Sequence, residues 1–382
     1  MHIGIDARFY GGGRAKGLGR YTEKLIECLQ EIDHTNTYTI FFQKEDFDHV
    51  QFHNTHFHKV LADFPWYSFQ EQRLMPRLLA QLHLDLVHFP HYNVPLFFRS
   101  RFVLTIHDLI LHHFPTRKAS TLGPVKYFFK QLGYRCVISQ AAKHAQKILT
   151  VSNFSKQDIQ QTFHTPSDKI VVTYEGADNV PMHHYNATQQ KEMLTKLAVQ
   201  QPYLLYVGNA YPHKNLGILL DVVQTLKAQG TINWQFVLVG KNDYFYLQLQ
   251  EQARQFGLLD HVRFVGFVTD KELSVLYENA LAYIFPSLYE GFGLPPLEAM
   301  LHGTPVLSSK ASCLPEILKS YASYFDPQDK NDIIYAIQNI FSHPEHREKI
   351  KEEAQRYARH FSWQDMTRRT LEVYESCTKK YS

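Results

Sequence analysis

Cysteine is scarce and scattered. Cys28, Cys136, Cys313 and Cys377 are the whole complement, and no two of them stand in a C-x-x-C spacing. A structural zinc or a disulfide framework is therefore not expected, and a reducing compartment suits the chain better. Net charge is equally small. A formal value of +3 over 382 residues gives no field of the kind that nucleic-acid binding exploits, so no nucleic-acid partner is expected. No apolar run approaches the roughly 18 residues that span a bilayer. The chain enters a strand at once, at His2-Ile-Gly-Ile-Asp6, with no basic and apolar leader before it. Those absences lead us to expect a cytoplasmic protein, peripheral to the inner face of a membrane if it meets one. No tract is of low complexity. Neither a G-x-G-x-x-G fingerprint nor a Walker A sequence occurs, which argues against a dinucleotide or NTP fold of the usual kind.

What is present is an ordinary globular composition, 44% hydrophobic and 20% charged, in a chain long enough for two cores. Strand-like and helix-like runs alternate from end to end, the pattern of parallel α/β sheets. Strands are predicted at Ile3–Asp6, Tyr38–Phe42, Leu86–Phe89, Phe102–Ile106, Ile148–Val151 and Ile170–Thr173. Helices are predicted near Arg20–Glu31, Tyr67–Leu82, Lys126–Ala142 and Phe154–Gln161. Tyr174–Gln190 loses periodicity and reads as a linker. The alternation restarts with strands at Tyr203–Val207, Gln235–Val239, Val262–Val265, Leu281–Phe285 and Val306–Ser308. After Phe325 the chain turns helical, with a break near Phe361-Ser-Trp363. This assigns 1–180 to an N-terminal domain, joined by 361–382, and 191–360 to a C-terminal one. Two such halves imply a cleft between them, where ligands bind.

The most informative stretch is Glu290-Gly-Phe-Gly-Leu-Pro-Pro-Leu-Glu298. Glycine and proline between the acids exclude one helix joining them. Pro295 and Pro296 suit the start of a helix, and Gly303 with Thr304-Pro305 suits its end. Glu290 is thus expected on a loop after a strand, and Glu298 in the first turn of the next helix. Backbone amides freed by the glycines at a helix start attract phosphate. The carboxylates beside them suit sugar hydroxyls, and together they suggest a sugar nucleotide.

Other stretches each carry two readings. Gly11-Gly-Gly13-Arg-Ala-Lys-Gly17-Leu-Gly19-Arg20 is either a cationic, phosphate-friendly loop or a plain surface loop. Thr105-Ile-His107-Asp108 ends a strand where doubly wound folds bind ligands. His107 either faces a sugar or is structural, and the neighbouring His112 and His113 lack the i, i+4 spacing of a metal pair. Val207-Gly-Asn209-Ala-Tyr-Pro-His-Lys214-Asn places a lysine after a strand, suited to a developing diphosphate charge or simply solvated. Asp46-Phe-Asp48 looks like a metal-binding D-x-D and is read as a solvated turn. Phe64-Pro-Trp66-Tyr67, Leu96–Arg101 and Lys126–Lys130 mix aromatics with cations, as in a membrane-facing or lipid-linked-acceptor surface or in core residues flanked by charge.

Taken together these residues resemble a retaining glycosyltransferase of family 4, over essentially the whole chain. The resemblance runs through Gly19-Arg-Tyr-Thr22, His107-Asp-Leu, Thr150-Val-Ser-Asn-Phe-Ser155, Tyr174-Glu-Gly176, Lys214-Asn, the Glu290–Glu298 stretch and Phe361-Ser-Trp363. It implies the GT-B architecture: two Rossmann-like domains facing across a cleft, with a C-terminal helix crossing back to the N-terminal, acceptor domain. It further implies catalytic roles for His107, Lys214 and Glu290. Donor contacts would come from Gly13, Gly17, Gly19, Asn209, Phe292, Gly293 and Leu294, with Phe267 and Val268 near the nucleobase and Glu298 on the ribose. Many members carry Arg where this chain has Asn209, which leaves one cation fewer for the diphosphate. The expected reaction is metal-independent transfer of a hexose, mannose from GDP-mannose first, to a glycan or lipid-linked glycan, with retention and without any cofactor. A UDP-sugar donor, or a sugar-nucleotide-binding subunit without turnover, is the alternative.

Overall fold

The computed structural model describes residues 1–11, 17–116, 123–177, 183 and 185–378. The chain forms two compact units. The first comprises Met1–His112, Leu122–Gly176 and Ser362–Ser382, and the second His113–Thr121 with Ala177–Phe361.

The first unit is a seven-stranded parallel sheet of β1 (His2–Asp6), β2 (Thr37–Phe42), β3 (Phe57–Leu61), β4 (Leu86–Phe89), β5 (Phe102–Thr105), β6 (Lys147–Thr150) and β7 (Ile170–Val172). Their spatial order is β3-β2-β1-β4-β5-β6-β7. Because side chains alternate across a strand, β1 sends Ile3 and Ile5 into one core with Leu25, Leu29, Trp363, Met366 and Tyr374. Phe41, Val87, Leu104 and Ile148 fill the opposite core with Ile138 and Ile159. The closing helix Trp363–Thr378 belongs to this unit and packs on helix Leu18–Ile32.

The second unit is a six-stranded parallel sheet of β8 (Tyr203–Val207), β9 (Gln235–Val239), β10 (Val262–Gly266), β11 (Ala282–Phe285), β12 (Val306–Ser309) and β13 (Ala322–Phe325), in the order β10-β9-β8-β11-β12-β13. Tyr-Leu-Leu-Tyr-Val of β8 and Gln-Phe-Val-Leu-Val of β9 are buried throughout, as expected for strands covered on both faces.

Four local expectations need correction. β3 escaped the sequence reading because Phe-His-Lys-Val-Leu is partly polar. It lies at the sheet edge, where such residues reach solvent. β13 is the opposite edge of the second sheet and escaped for the same reason. The aperiodic stretch 174–190 is not all linker. Helix Ala187–Lys196 starts inside it, because Asn186 and Gln189 form a reciprocal capping box. Asp46 and Asp48 are not in a turn but in the short helix Lys44–His49, and Asp46 accepts a hydrogen bond from the amide of Gly11. The aromatic and basic stretches divide between both readings: Phe64 and Phe98 are core, whereas Phe97, Phe128 and Phe129 are exposed. Among the described residues no helix is long and apolar enough to cross a membrane.

Candidate active site

In an open parallel sheet, ligands bind beyond the carboxyl ends of the strands where the strand order reverses. In the second sheet that point lies between β8 and β11. The loop after β8 runs through a 3-10 turn, Pro212–Lys214, and stops at Asn215 in a left-handed conformation (φ 58°). Asn215 Nδ2 donates to the carbonyls of Pro286 (3.3 Å) and Pro327 (2.7 Å), tying this loop to those after β11 and β13. The amide of Leu288 donates to the carbonyl of His213 at 2.7 Å. With both loops so joined, Lys214 Nζ meets Glu290 Oε1 at 2.6 Å, and both side chains are largely withdrawn from water. Lys214 also lies 5.4 Å from the centre of the Phe285 ring. The backbone amide of Glu290 donates to Ser312 Oγ at 3.0 Å, which holds the main chain at Glu290 from the β12 side.

Glu298 is buried on helix Leu294–Leu301 and accepts a hydrogen bond from Tyr277 Oη at 3.1 Å. It stands one residue beyond the first turn, contrary to expectation. Gly293 (φ 94°, ψ 57°) is the N-cap, so the helix begins at Leu294 and the prolines follow it. The left-handed φ favours glycine, and an added Cβ would come within 2.9 Å of Leu314 Cδ2. Phe292 is buried against Phe361, and its carbonyl accepts from Cys313 Sγ. Leu294 opens the helix, half-buried. After β10, Phe267 is exposed while Val268 is buried. Asn209 turns inward on its own loop: its Oδ1 accepts from the Tyr211 amide and its carbonyl from Tyr206 Oη.

In the first unit His107 follows β5. Its Nδ1 lies 3.1 Å from Glu175 Oε1 and its Nε2 3.1 Å from the carbonyl of Pro90. Both partners are acceptors, which suits an imidazolium. Burial pushes the His107 pKa down, but the Glu175 hydrogen bond and charge outweigh it and the net direction is up. Gly17 caps helix Leu18–Ile32 with φ 62°, and Gly19 is buried in its first turn. Gly13, like Arg14 and Lys16, lies outside the described residues. The structure thus brings Lys214 to Glu290, and adds Glu175, Tyr277 and Ser312 as partners of the expected residues. Sequence reading passed over Glu175 and Tyr277 as site residues because the first lies in the stretch read as a linker and the second on a helix, and each meets its partner only through tertiary packing. Among the described residues no group of three or more His, Cys, Asp or Glu is placed to hold a metal ion.

Buried histidines weaken the fold in acid, His88 and His213 among them. His88 bridges Tyr374 Oη (2.6 Å) and Thr105 Oγ1 (2.8 Å), and burial, with the charge of His107, lowers its pKa to about 3. Burial and then the charge of Lys214 lower His213 to about 4. Both are lowered, so their stabilisation is present above the unfolded value of 6.5 and is lost as the pH falls toward those values. Each should cost its own unit about 1.4 kcal/mol per pH unit over that window. His107 acts oppositely, losing its contribution as the pH rises above 6.5. Unfolding midpoints measured from pH 7 to 4.5 should fall steadily for both units, and a flat profile down to pH 5 would contradict this.

Two parallel Rossmann-like sheets, with a cation and carboxylates at the switch point of the second, define a sugar-transferring enzyme of the GT-B class. The chain belongs to the family 4 glycosyltransferases. Residues 189–357 match the family of glycosyl transferases group 1, and residues 15–179 match glycosyltransferase family 4. It is 32% identical to O-antigen chain mannosyltransferase B of Escherichia coli over 75% of this chain and 73% of that one. It is 27% identical to the O-antigen chain mannosyltransferase RfbU of Salmonella typhimurium over 91% and 93%. Among solved structures, sucrose-phosphate synthase from Thermosynechococcus elongatus shares the fold with a TM-score of 0.76 at 19% identity, over 98% of both chains.

Proposed function

We propose that this glycosyltransferase moves mannose from GDP-mannose to a growing surface glycan or its lipid-linked precursor, with retention at the anomeric carbon. The Lys214–Glu290 pair at the β8/β11 switch point carries the reading, and the mannosyltransferase relatives supply the sugar. Lys214 would leave Glu290 for the diphosphate of the donor, and the amides opening helix Leu294–Leu301 would add to its stabilisation. Glu290, freed from the lysine, would turn to the hydroxyls of the transferred sugar. Glu298, positioned by the hydroxyl of Tyr277, would turn to the hydroxyls of the ribose. The departing diphosphate would deprotonate the acceptor hydroxyl on the same face. A lysine and backbone dipoles suffice for that charge, so transfer should persist in a chelator.

A thermal-shift panel of GDP- and UDP-sugars tests the base and the sugar together. GDP-mannose is expected to give the largest shift, and Glu298→Ala to abolish most of it. A larger shift with a UDP-sugar would replace the donor, and an unchanged shift in Glu298→Ala would remove that residue from the nucleotide.

A further inference from the structure

The switch point of the first sheet lies between β1 and β4, and three loops meet at its carboxyl edge. Arg8 follows β1 and is fully buried. Its guanidinium holds Asp6 through Nε (2.8 Å) and Nη2 (2.7 Å), and reaches Glu71 at 2.6 Å through Nη2. Asn93, after β4, donates to the same Glu71 oxygen at 2.6 Å. On this polar floor stands a set of rings. Phe9 and Trp66 stack with centroids 4.0 Å apart and planes 3° from parallel, and His91 lies 4.9 Å from Phe9 and 3.8 Å from Tyr92. Tyr67, 59% exposed, lies edge-on to His91.

Two features mark the cluster as more than packing. Tyr67 has φ 55°, a left-handed conformation that an aromatic residue adopts at a cost. Its strained backbone is held by its amide, which donates to Glu71 Oε2 at 2.7 Å. In addition, Arg8 Nη1, Trp66 Nε1, His91 Nδ1 and Tyr134 Oη are enclosed with no hydrogen-bond partner, and Tyr134 packs on Tyr92 at 5.1 Å. Unfilled polar groups rarely gather in one place unless something fills them.

The chemistry of the occupant follows from charge and shape. Two carboxylates face a single guanidinium, so the floor disfavours an anion. Flat aromatic surface beside unfilled hydrogen-bond groups suits a neutral ring with an apolar C–H face and a rim of hydroxyls. We propose that the Phe9–Trp66–Tyr67–His91 cluster is a hexopyranose platform that seats the acceptor sugar. Its place in the reaction rests on the transferase reading above, whereas its ligand chemistry does not.

Tryptophan fluorescence of the full chain tests it directly, because Trp234 and Trp363 are buried in the cores and Trp66 alone borders the platform. Methyl glycosides of mannose, glucose, galactose and N-acetylglucosamine would be titrated without donor, with inorganic phosphate as the anionic probe. At least one glycoside should change the emission saturably, and phosphate should not. Trp66→Phe should erase the signal, and Tyr67→Ala, at an exposed position, should weaken half-saturation about ten-fold with an unchanged melting temperature. Overturning results are no response to any glycoside, a response unchanged in Trp66→Phe, or a stronger response to phosphate. GDP-mannose hydrolysis followed in parallel separates the two readings. Hydrolysis without a glycoside response sinks the platform, while a glycoside response without turnover leaves it standing and sinks the transferase reading.

Discussion

Lys214→Ala should lower kcat/KM for sugar transfer by about 10²- to 10³-fold, the usual cost of removing one preorganised group from a developing negative charge. The same change strips the cation from a withdrawn carboxylate, since Glu290 Oε1 lies 2.6 Å from Lys214 Nζ. Breaking such a pair from one side typically costs about 3 kcal/mol of stability, so a loss of activity alone would be ambiguous. The double substitution Lys214→Met with Glu290→Gln resolves the ambiguity. It leaves two neutral side chains of similar size, so the melting temperature should return most of the way to that of the wild type while turnover stays lost. If the double variant recovers both stability and activity, the pair is a structural strut and the donor role proposed for Lys214 is wrong. Glu290→Gln alone should keep the hydrogen bond from the lysine and still slow transfer. The amide can no longer accept from sugar hydroxyls through two anionic oxygens.

Gly176→Ala should strongly destabilise the first unit. A Cβ at 176 would stand 2.4 Å from the backbone nitrogen of Trp363 and 2.5 Å from its Cγ. The nearest atom is main chain, so no rotamer change at Trp363 relieves it. Helix Trp363–Thr378 would have to move away from the sheet, with Trp363, Met366 and Tyr374 leaving the core they share with Ile3, Leu25 and Leu29. Overpacking of this kind costs typically 1–3 kcal/mol and more where backbone must shift. Chemical denaturation should show the loss in the transition that reports Tyr374 and Trp363, while nucleotide-induced stabilisation of the second unit persists. A midpoint within experimental scatter of the wild type would show that the helix seats without this contact. The glycine of Tyr174-Glu-Gly176 thus has a packing reason, and the neighbouring Glu175 has an electrostatic one through His107.

Much of this was legible in the chain. The buried strands read as continuous apolar runs, and Glu290 and Lys214 each stand a few residues beyond such a strand, where a parallel sheet puts its ligand loops. Their spacing across β11 and β8 is not a local property. Only the order β10-β9-β8-β11, in which strands remote in sequence become neighbours, brings the two side chains into one ion pair. The edge strands β3 and β13 were illegible for a related reason. Alternation and apolarity signal burial, and these two, unlike the more apolar edge strands β7 and β10, are too polar and too little buried to show them.

The sequence by itself determined the α/β class, the two halves, the family and the identity of the acids and the lysine at issue, because local periodicity and loop chemistry encode these. The tertiary structure alone decided that Lys214 pairs with Glu290 and that Tyr277 holds Glu298. It alone decided that His107 is flanked by two acceptors, and that Phe9, Trp66, Tyr67 and His91 form one surface. Each of these depends on contacts between segments tens to hundreds of residues apart. Such contacts are fixed by how sheets order their strands, and no window along the chain contains them.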